Sequence, residues 1–125
     1  MTDKKILVAD DESHILNVVS LKLRNAGFTV VTARDGQEAL EIAQQVMPDL
    51  LITDYHMPQM SGIELCHKLK QDPATSAIPA IMLTARGYSL EPGDTERSGI
   101  LEMLSKPFSP RQLLTTVEKV LKIAA

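Results

Sequence analysis

A chain of 125 residues is long enough for one hydrophobic core and too short for two, so a single domain over residues 1–125 is expected. With 44% hydrophobic and 23% charged residues it is too apolar to be a disordered chain, and a net charge of −3 with no basic run offers little attraction to nucleic acid or an anionic membrane. The apolar stretch near the N-terminus is too short for a signal-peptide core and none approaches membrane-spanning length, which points to a cytoplasmic protein.

KILVA (5–9) is a short, continuous apolar run, the pattern of a strand covered on both faces. Leu16, Val19, Leu23 and Ala26 then recur at helical spacing up to Gly27, a natural stop. TVVTA (29–33) is rich in β-branched residues and predicts the second strand. Asp35 with Glu38 has the spacing of a capping box opening a helix whose apolar face holds Leu40, Ala43 and Met47, and Pro48 ends it. DLLIT (49–53) is the third strand, and Ser61 with Glu64 opens a helix carrying Leu65 and Leu69. QDPATSAIP is polar and reads as a surface loop before the fourth strand, AIMLT (80–84). A shorter, less apolar strand is expected over 101–104, and Ser109-Pro110 caps a final helix with Leu113, Val117, Val120 and Leu121.

Strands alternating with helices imply an α/β fold: right-handed crossovers produce an open parallel sheet with helices on both faces. For five strands in so short a chain, the flavodoxin-like order 2-1-3-4-5 fits best, with strands 1 and 3 adjacent and a crevice beyond their carboxyl ends. The only cysteine, Cys66, has no disulfide partner and no zinc spacing with His67, and it reads as a buried structural thiol; His14 and His56 also lack a ligand partner.

Asp10 and Asp11 end strand 1, Asp54 ends strand 3, Thr84 ends strand 4 and Lys106 follows strand 5, so all fall at one edge of the sheet. Three carboxylates brought close together repel unless a cation intervenes, and a hard divalent ion such as Mg²⁺ accepts carboxylate and phosphate oxygens. Lys106 as a point charge and Thr84 as a hydroxyl donor suit a tetrahedral dianion on Asp54, which makes Asp54 a phosphoryl acceptor.

With ADDES, TDYHMPQMSG, LTA and SKPF in this order and spacing, the chain resembles, along essentially its whole length, the receiver domain of two-component response regulators of the chemotaxis-regulator type. The resemblance implies that Asp54 takes a phosphoryl group from the phosphohistidine of a sensor histidine kinase or histidine phosphotransfer protein. It implies that Asp10, Asp11, the Asp54 carboxylate and the backbone carbonyl of His56 hold Mg²⁺, and that Thr84 and Lys106 contact the phosphoryl oxygens. The protein would then be a phosphoacceptor that assists its own phosphorylation and dephosphorylation, with no separate enzymatic substrate, read by a downstream protein target. The last helix runs to the end of these residues and leaves no room among them for an output domain.

Met103 stands where many receivers have an aromatic residue, and it reads either as packing or as part of the switch; Arg86, His56 and Tyr55 flank the entrance and read first as solvated loop residues. A flavin-binding electron carrier shares the fold class, but it wants a phosphate-cradling loop where ADDES offers three acids. An aspartyl-phosphate phosphatase usually has a second acid where this chain has His56. A receiver-like interaction module that is never phosphorylated is the remaining alternative.

GYSLEPGDTERSG interrupts the helix expected between strands 4 and 5. Proline inside a helix costs about 3 kcal/mol and glycine up to about 1 kcal/mol relative to alanine. Proline is harmless in the first turn, so the regular helix is expected to begin near Pro92, with Asp94 and Glu96 in its first turn and Gly99 as its stop. Amide hydrogen exchange should therefore show weak protection over 87–91; continuous strong protection from 87 through 97 would show a full-length helix instead.

Overall fold

The computed structural model describes residues 4–85 and 98–124. Its five strands are β1 (Lys5–Ala9), β2 (Thr29–Ala33), β3 (Leu50–Asp54), β4 (Ala80–Thr84) and β5 (Ile100–Ser105). They form one parallel sheet in the order β2-β1-β3-β4-β5, the expected flavodoxin-like order. The helices are α1 (Ser13–Asn25), α2 (Gly36–Val46), α3 (Gly62–Gln71) and α4 (Pro110–Ala124). The interrupted segment after strand 4 lies outside the described residues, and so does Arg86.

The continuous apolar runs follow from two covered faces. Ile6, Val8, Leu50, Ile52, Ile81 and Leu83 pack with Leu16, Val19 and Leu23 of α1 and Leu113, Val117 and Val120 of α4. The alternate residues Leu7, Ala9, Leu51, Ala80 and Met82 pack with Ala39 and Ala43 of α2 and with Leu65, Cys66 and Leu69 of α3. Side chains alternate across a strand, so two hydrophobic layers require apolar residues at every position. Each fully buried leucine or isoleucine contributes about 1.5–3 kcal/mol. Cys66 belongs to this packing as a buried free thiol, and burial pushes its pKa up to about 12, which leaves it unreactive at neutral pH.

All three expected caps form. The Asp35 carboxylate accepts from the Glu38 amide at 2.8 Å, the Ser61 hydroxyl from the Glu64 amide at 3.2 Å, and the Ser109 hydroxyl from the Gln112 amide at 3.0 Å. The first of these is not a reciprocal box, because the Glu38 carboxylate accepts from the Arg34 amide at 2.6 Å and not from Asp35.

Four local expectations need correction. The buried face of α2 is Ala39 and Ala43; Met47 lies beyond the helix in a left-handed conformation (φ 50°) and is 43% exposed, because the chain must leave the helical path before Pro48. β3 runs one residue later than expected, since Asp49 pairs with the Lys5 backbone through both its side chain and its amide, and Asp54 becomes the last strand residue. β5 is longer than expected and carries a register irregularity against Ala80 and Ile81; as an edge strand it buries less, which accounts for its weaker apolar signal. The 71–79 connection is not wholly superficial either: Thr75 is 1% exposed and donates to the Leu69 carbonyl at 2.6 Å.

The turn from β3 into α3 passes directly under the sheet edge. A Cβ added at Gly62 would lie 2.2 Å from the Asp54 carbonyl oxygen, which is backbone and cannot swing away. The same glycine donates its amide to Tyr55 at 2.9 Å. Gly62→Ala should therefore destabilise the protein by about 1–3 kcal/mol through overpacking, read as a lowered urea midpoint. An unchanged midpoint would show that β3 and α3 are not held this close.

Candidate functional site

In the β1–β3 pairing Ile6 lies opposite Leu50, Val8 opposite Ile52 and Ala9 opposite Thr53. One more step of this register brings Asp10 level with Asp54. Both then point to the edge where the chain leaves β5, and there Lys106 reaches back: its Nζ lies 3.0 Å from Asp10 Oδ2, 3.1 Å from Glu12 Oε1 and 3.2 Å from Asp54 Oδ1. The Lys106 side chain is only 14% exposed, more enclosed than a surface lysine. Its backbone is fixed as well, since the Lys106 amide donates to the Thr84 carbonyl at 2.7 Å.

Asp10 is wholly buried and Asp54 nearly so. The second Asp10 oxygen accepts from the Glu12 amide at 2.9 Å, which shapes the turn from β1 into α1 and carries Glu12 back over the cluster. Thr84 is buried at the end of β4 beside this edge, and Ser105, opposite it in β5, directly precedes Lys106. Tyr55, Met57 and Met60 pack the loop after β3 against the α2–α3 layer, and His56 stays exposed, edge-on to Tyr55 at 4.7 Å between ring centroids.

The electrostatics follow from one cation among several anions. Burial raises the Asp10 carboxyl above the ordinary carboxylate range, partly offset by the Glu12 amide and Lys106. Burial likewise raises Asp54; Lys106 works against this, and the nearby Asp11 charge adds to it. For Lys106 burial acts to lower the pKa, but the hydrogen bonds it donates to Asp10 and Glu12, with the charges of Asp10 and Asp54, outweigh it and hold the ammonium above its usual value. The lysine therefore remains charged, and the carboxylates carry an excess of negative charge that it cannot neutralise.

Asp10, Glu12 and Asp54 present one carboxylate oxygen each, all within 4.8 Å of one another, a group that could hold a metal ion. This differs from the set expected from the sequence. Asp11 is exposed and reaches Asp54 only through its charge, whereas Glu12, passed over before, stands in the cluster. Its place follows from the turn closed by the Asp10 carboxylate on the Glu12 amide, which the letters ADDES do not reveal. Met103 is half-buried, packs on the α2–α3 layer and pairs with Met82.

Comparison with known proteins gives one answer. The family model "Response regulator receiver domain" matches residues 6–118. The chain is 38% identical over 120 residues to the "Alkaline phosphatase synthesis transcriptional regulatory protein PhoP" of Bacillus subtilis, covering 96% of this chain and 49% of that one. It is 41% identical over 120 residues to the "Phosphate regulon transcriptional regulatory protein PhoB" of Rhizobium meliloti, covering 96% and 53%. The chain thus spans about half the length of these curated relatives. Among solved structures, the chemotaxis response regulator CheY4 of Vibrio cholerae superposes with a TM-score of 0.87 at 36% identity, covering 95% of this chain and 99% of that one.

The raised carboxyl groups have a consequence for stability. Asp10 and Asp54 hold protons more tightly in the folded protein than in the unfolded chain, so without metal their ionisation opposes folding. Stability in a chelating buffer should fall as pH rises from the ordinary carboxylate pKa through the raised range, and Asp54→Asn should flatten that fall. Urea melts across this interval test it, and a stability that rises there in wild type would contradict the excess of negative charge. Lys106 follows the same sign in a higher window: its pKa is also raised on folding, so its contribution persists through neutral pH and is lost as pH rises above its usual pKa.

Proposed function

Because the chain belongs to the response regulator receiver domain family, we propose that it is a phosphorylation-dependent signalling switch in which Asp54 accepts the phosphoryl group. The observation that carries this reading is the Asp54 carboxylate at the carboxyl end of β3, 3.2 Å from Lys106 Nζ and beside a group of hard oxygen donors. The donor set fits Mg²⁺, which prefers oxygen and binds through few carboxylates together with phosphate. Asp10, Asp54 and either Glu12 or Asp11 would hold it, with the His56 carbonyl as a further ligand. When bound, it offsets the carboxylate charge and that of the incoming phosphoryl oxygens.

In the proposed reaction a phosphohistidine of a sensor kinase or phosphotransfer protein is the donor. An Asp54 oxygen attacks phosphorus in line, the P–O bond forms as the P–N bond breaks, and the histidine nitrogen leaves with the electron pair. Lys106 stabilises charge on the transferring group from a position already fixed by the β5 end, so little reorganisation is required. Thr84, buried at the neighbouring strand end, would donate its hydroxyl to a phosphoryl oxygen. Hydrolysis reverses the state at the same centre, and a protein partner reads the change.

The names of the curated relatives describe transcriptional regulation, but the remaining half of their length has no counterpart in these residues. We assign to these residues a phosphoryl-controlled protein contact as their output, and their net charge of −3 with no basic run gives them little attraction to nucleic acid. Among the described residues no helix is long and apolar enough to cross a membrane.

Incubation with Mg²⁺ and a small phosphodonor should add a single phosphoryl group to the intact mass. Asp54→Asn or a chelator should abolish the addition. Lys106→Ala should slow it by about tenfold or more, as expected when a fixed positive charge is removed from a phosphoryl-transfer site. Undiminished labelling of Asp54→Asn would remove the assignment, and labelling unaffected by chelation would remove the metal. No labelling of wild type under any of these conditions would favour the reading as a non-phosphorylated interaction module.

A further inference from the structure

A second charged site lies on the other flank of α1. A groove of about 500 Å³ between α1 and β2 is lined by Ser13, Asn17, Ser20, Arg24, Thr32 and Arg34, with Leu16 and Leu21 as its apolar part. Its only ionisable side chains are the two arginines, in a protein whose net charge is −3. Among the described residues neither guanidinium has a carboxylate partner. Arg24 donates one N–H to the Val30 carbonyl at 3.3 Å, and Arg34 donates one to the Ser13 hydroxyl. A guanidinium carries five N–H donors, so each arginine is anchored by one and has others to offer.

A second, independent observation concerns Ser20. It is 3% exposed, lines this groove, and its hydroxyl is buried with no hydrogen-bond partner among the described residues. A buried hydroxyl without a partner is costly and rare in native proteins, and it marks a place where a polar ligand completes the structure. Nearby acids are engaged elsewhere: Glu38 accepts from the Arg34 backbone, and Glu12 is held by Lys106.

We propose that this groove is a binding site for a small phosphate monoester with an apolar part. Two anchored guanidiniums match a dianion and grip its oxygens in pairs, while the Ser13 and Ser20 hydroxyls complete its hydrogen bonds. Leu21, 62% exposed at the groove edge, covers the apolar part of the ligand. The site is separate from the Asp54 cluster and needs no phosphoryl transfer.

The test is an amide chemical-shift titration of the full chain, without divalent metal or phosphodonor, using phenyl phosphate, inorganic phosphate and benzoate as probes. Phenyl phosphate should produce saturable shifts at Ser13, Ser20, Arg24, Thr32 and Arg34. Arg24→Gln and Arg34→Gln should each weaken it by about tenfold, the scale of one lost charge-assisted contact. Both arginines are exposed, so these variants should retain the wild-type spectrum elsewhere; Ser20→Ala, which removes only the hydroxyl, should weaken binding several-fold. Absence of saturable shifts in the groove, shifts confined to residues around Lys106, or unchanged affinity in both arginine variants would overturn the site. Equal affinity for benzoate would overturn the phosphate class, and equal affinity for inorganic phosphate would overturn the apolar part.

Discussion

The contact on which the rest of the structure depends is the Lys106 ammonium held among Asp10, Glu12 and Asp54. It joins residues almost a hundred positions apart in the chain, and only the parallel register of β1, β3 and β4 with β5 brings them together. Two of the carboxylates are buried where strands end, and one cation is too few for three anions. The site is consequently held by the sheet, and it weakens the fold that holds it. The remaining elements compensate: two apolar layers cover the sheet, and three side-chain caps fix the helix starts.

Such imbalance suits a switch. A fully neutralised cluster would have no reason to bind a cation or to change on receiving a phosphoryl group, whereas an excess of buried negative charge couples ion binding and phosphorylation to stability. Lys106 is central to the proposed mechanism because its present partners and an incoming phosphoryl group compete for the same ammonium. Its pKa is raised despite burial because Asp10, Glu12 and Asp54 favour the charged ammonium.

α1 separates two charge environments in one small acidic protein. Its N-terminal approach carries Glu12 toward Lys106, and the next residue, Ser13, receives Arg34 on the opposite flank. The same turn therefore borders the carboxylate cluster and the arginine groove.

The sequence by itself determined the sheet order, the strand cores and the identity of the chemistry-bearing strand ends, because these follow from local signals: continuous apolar runs, β-branched residues, caps with an acceptor three residues before the amide, and prolines that stop helices. Asp54 and Lys106 were legible for the same reason, each standing where an element ends. Glu12 was not, since its part in the cluster arises from a turn closed by the Asp10 carboxylate on the Glu12 amide. Met47 misled because helical spacing continues in the letters after the backbone has left the helix, and Thr75 because a polar loop residue can be buried when its hydroxyl finds the end of a helix. The arginine groove had no sequence signature at all: Arg24 lies in α1 and Arg34 in the turn after β2, and only packing α1 beside β2 sets them around one cavity. Periodicity along the chain reports which face of an element is buried, whereas the meeting of side chains from different elements is decided by tertiary packing alone.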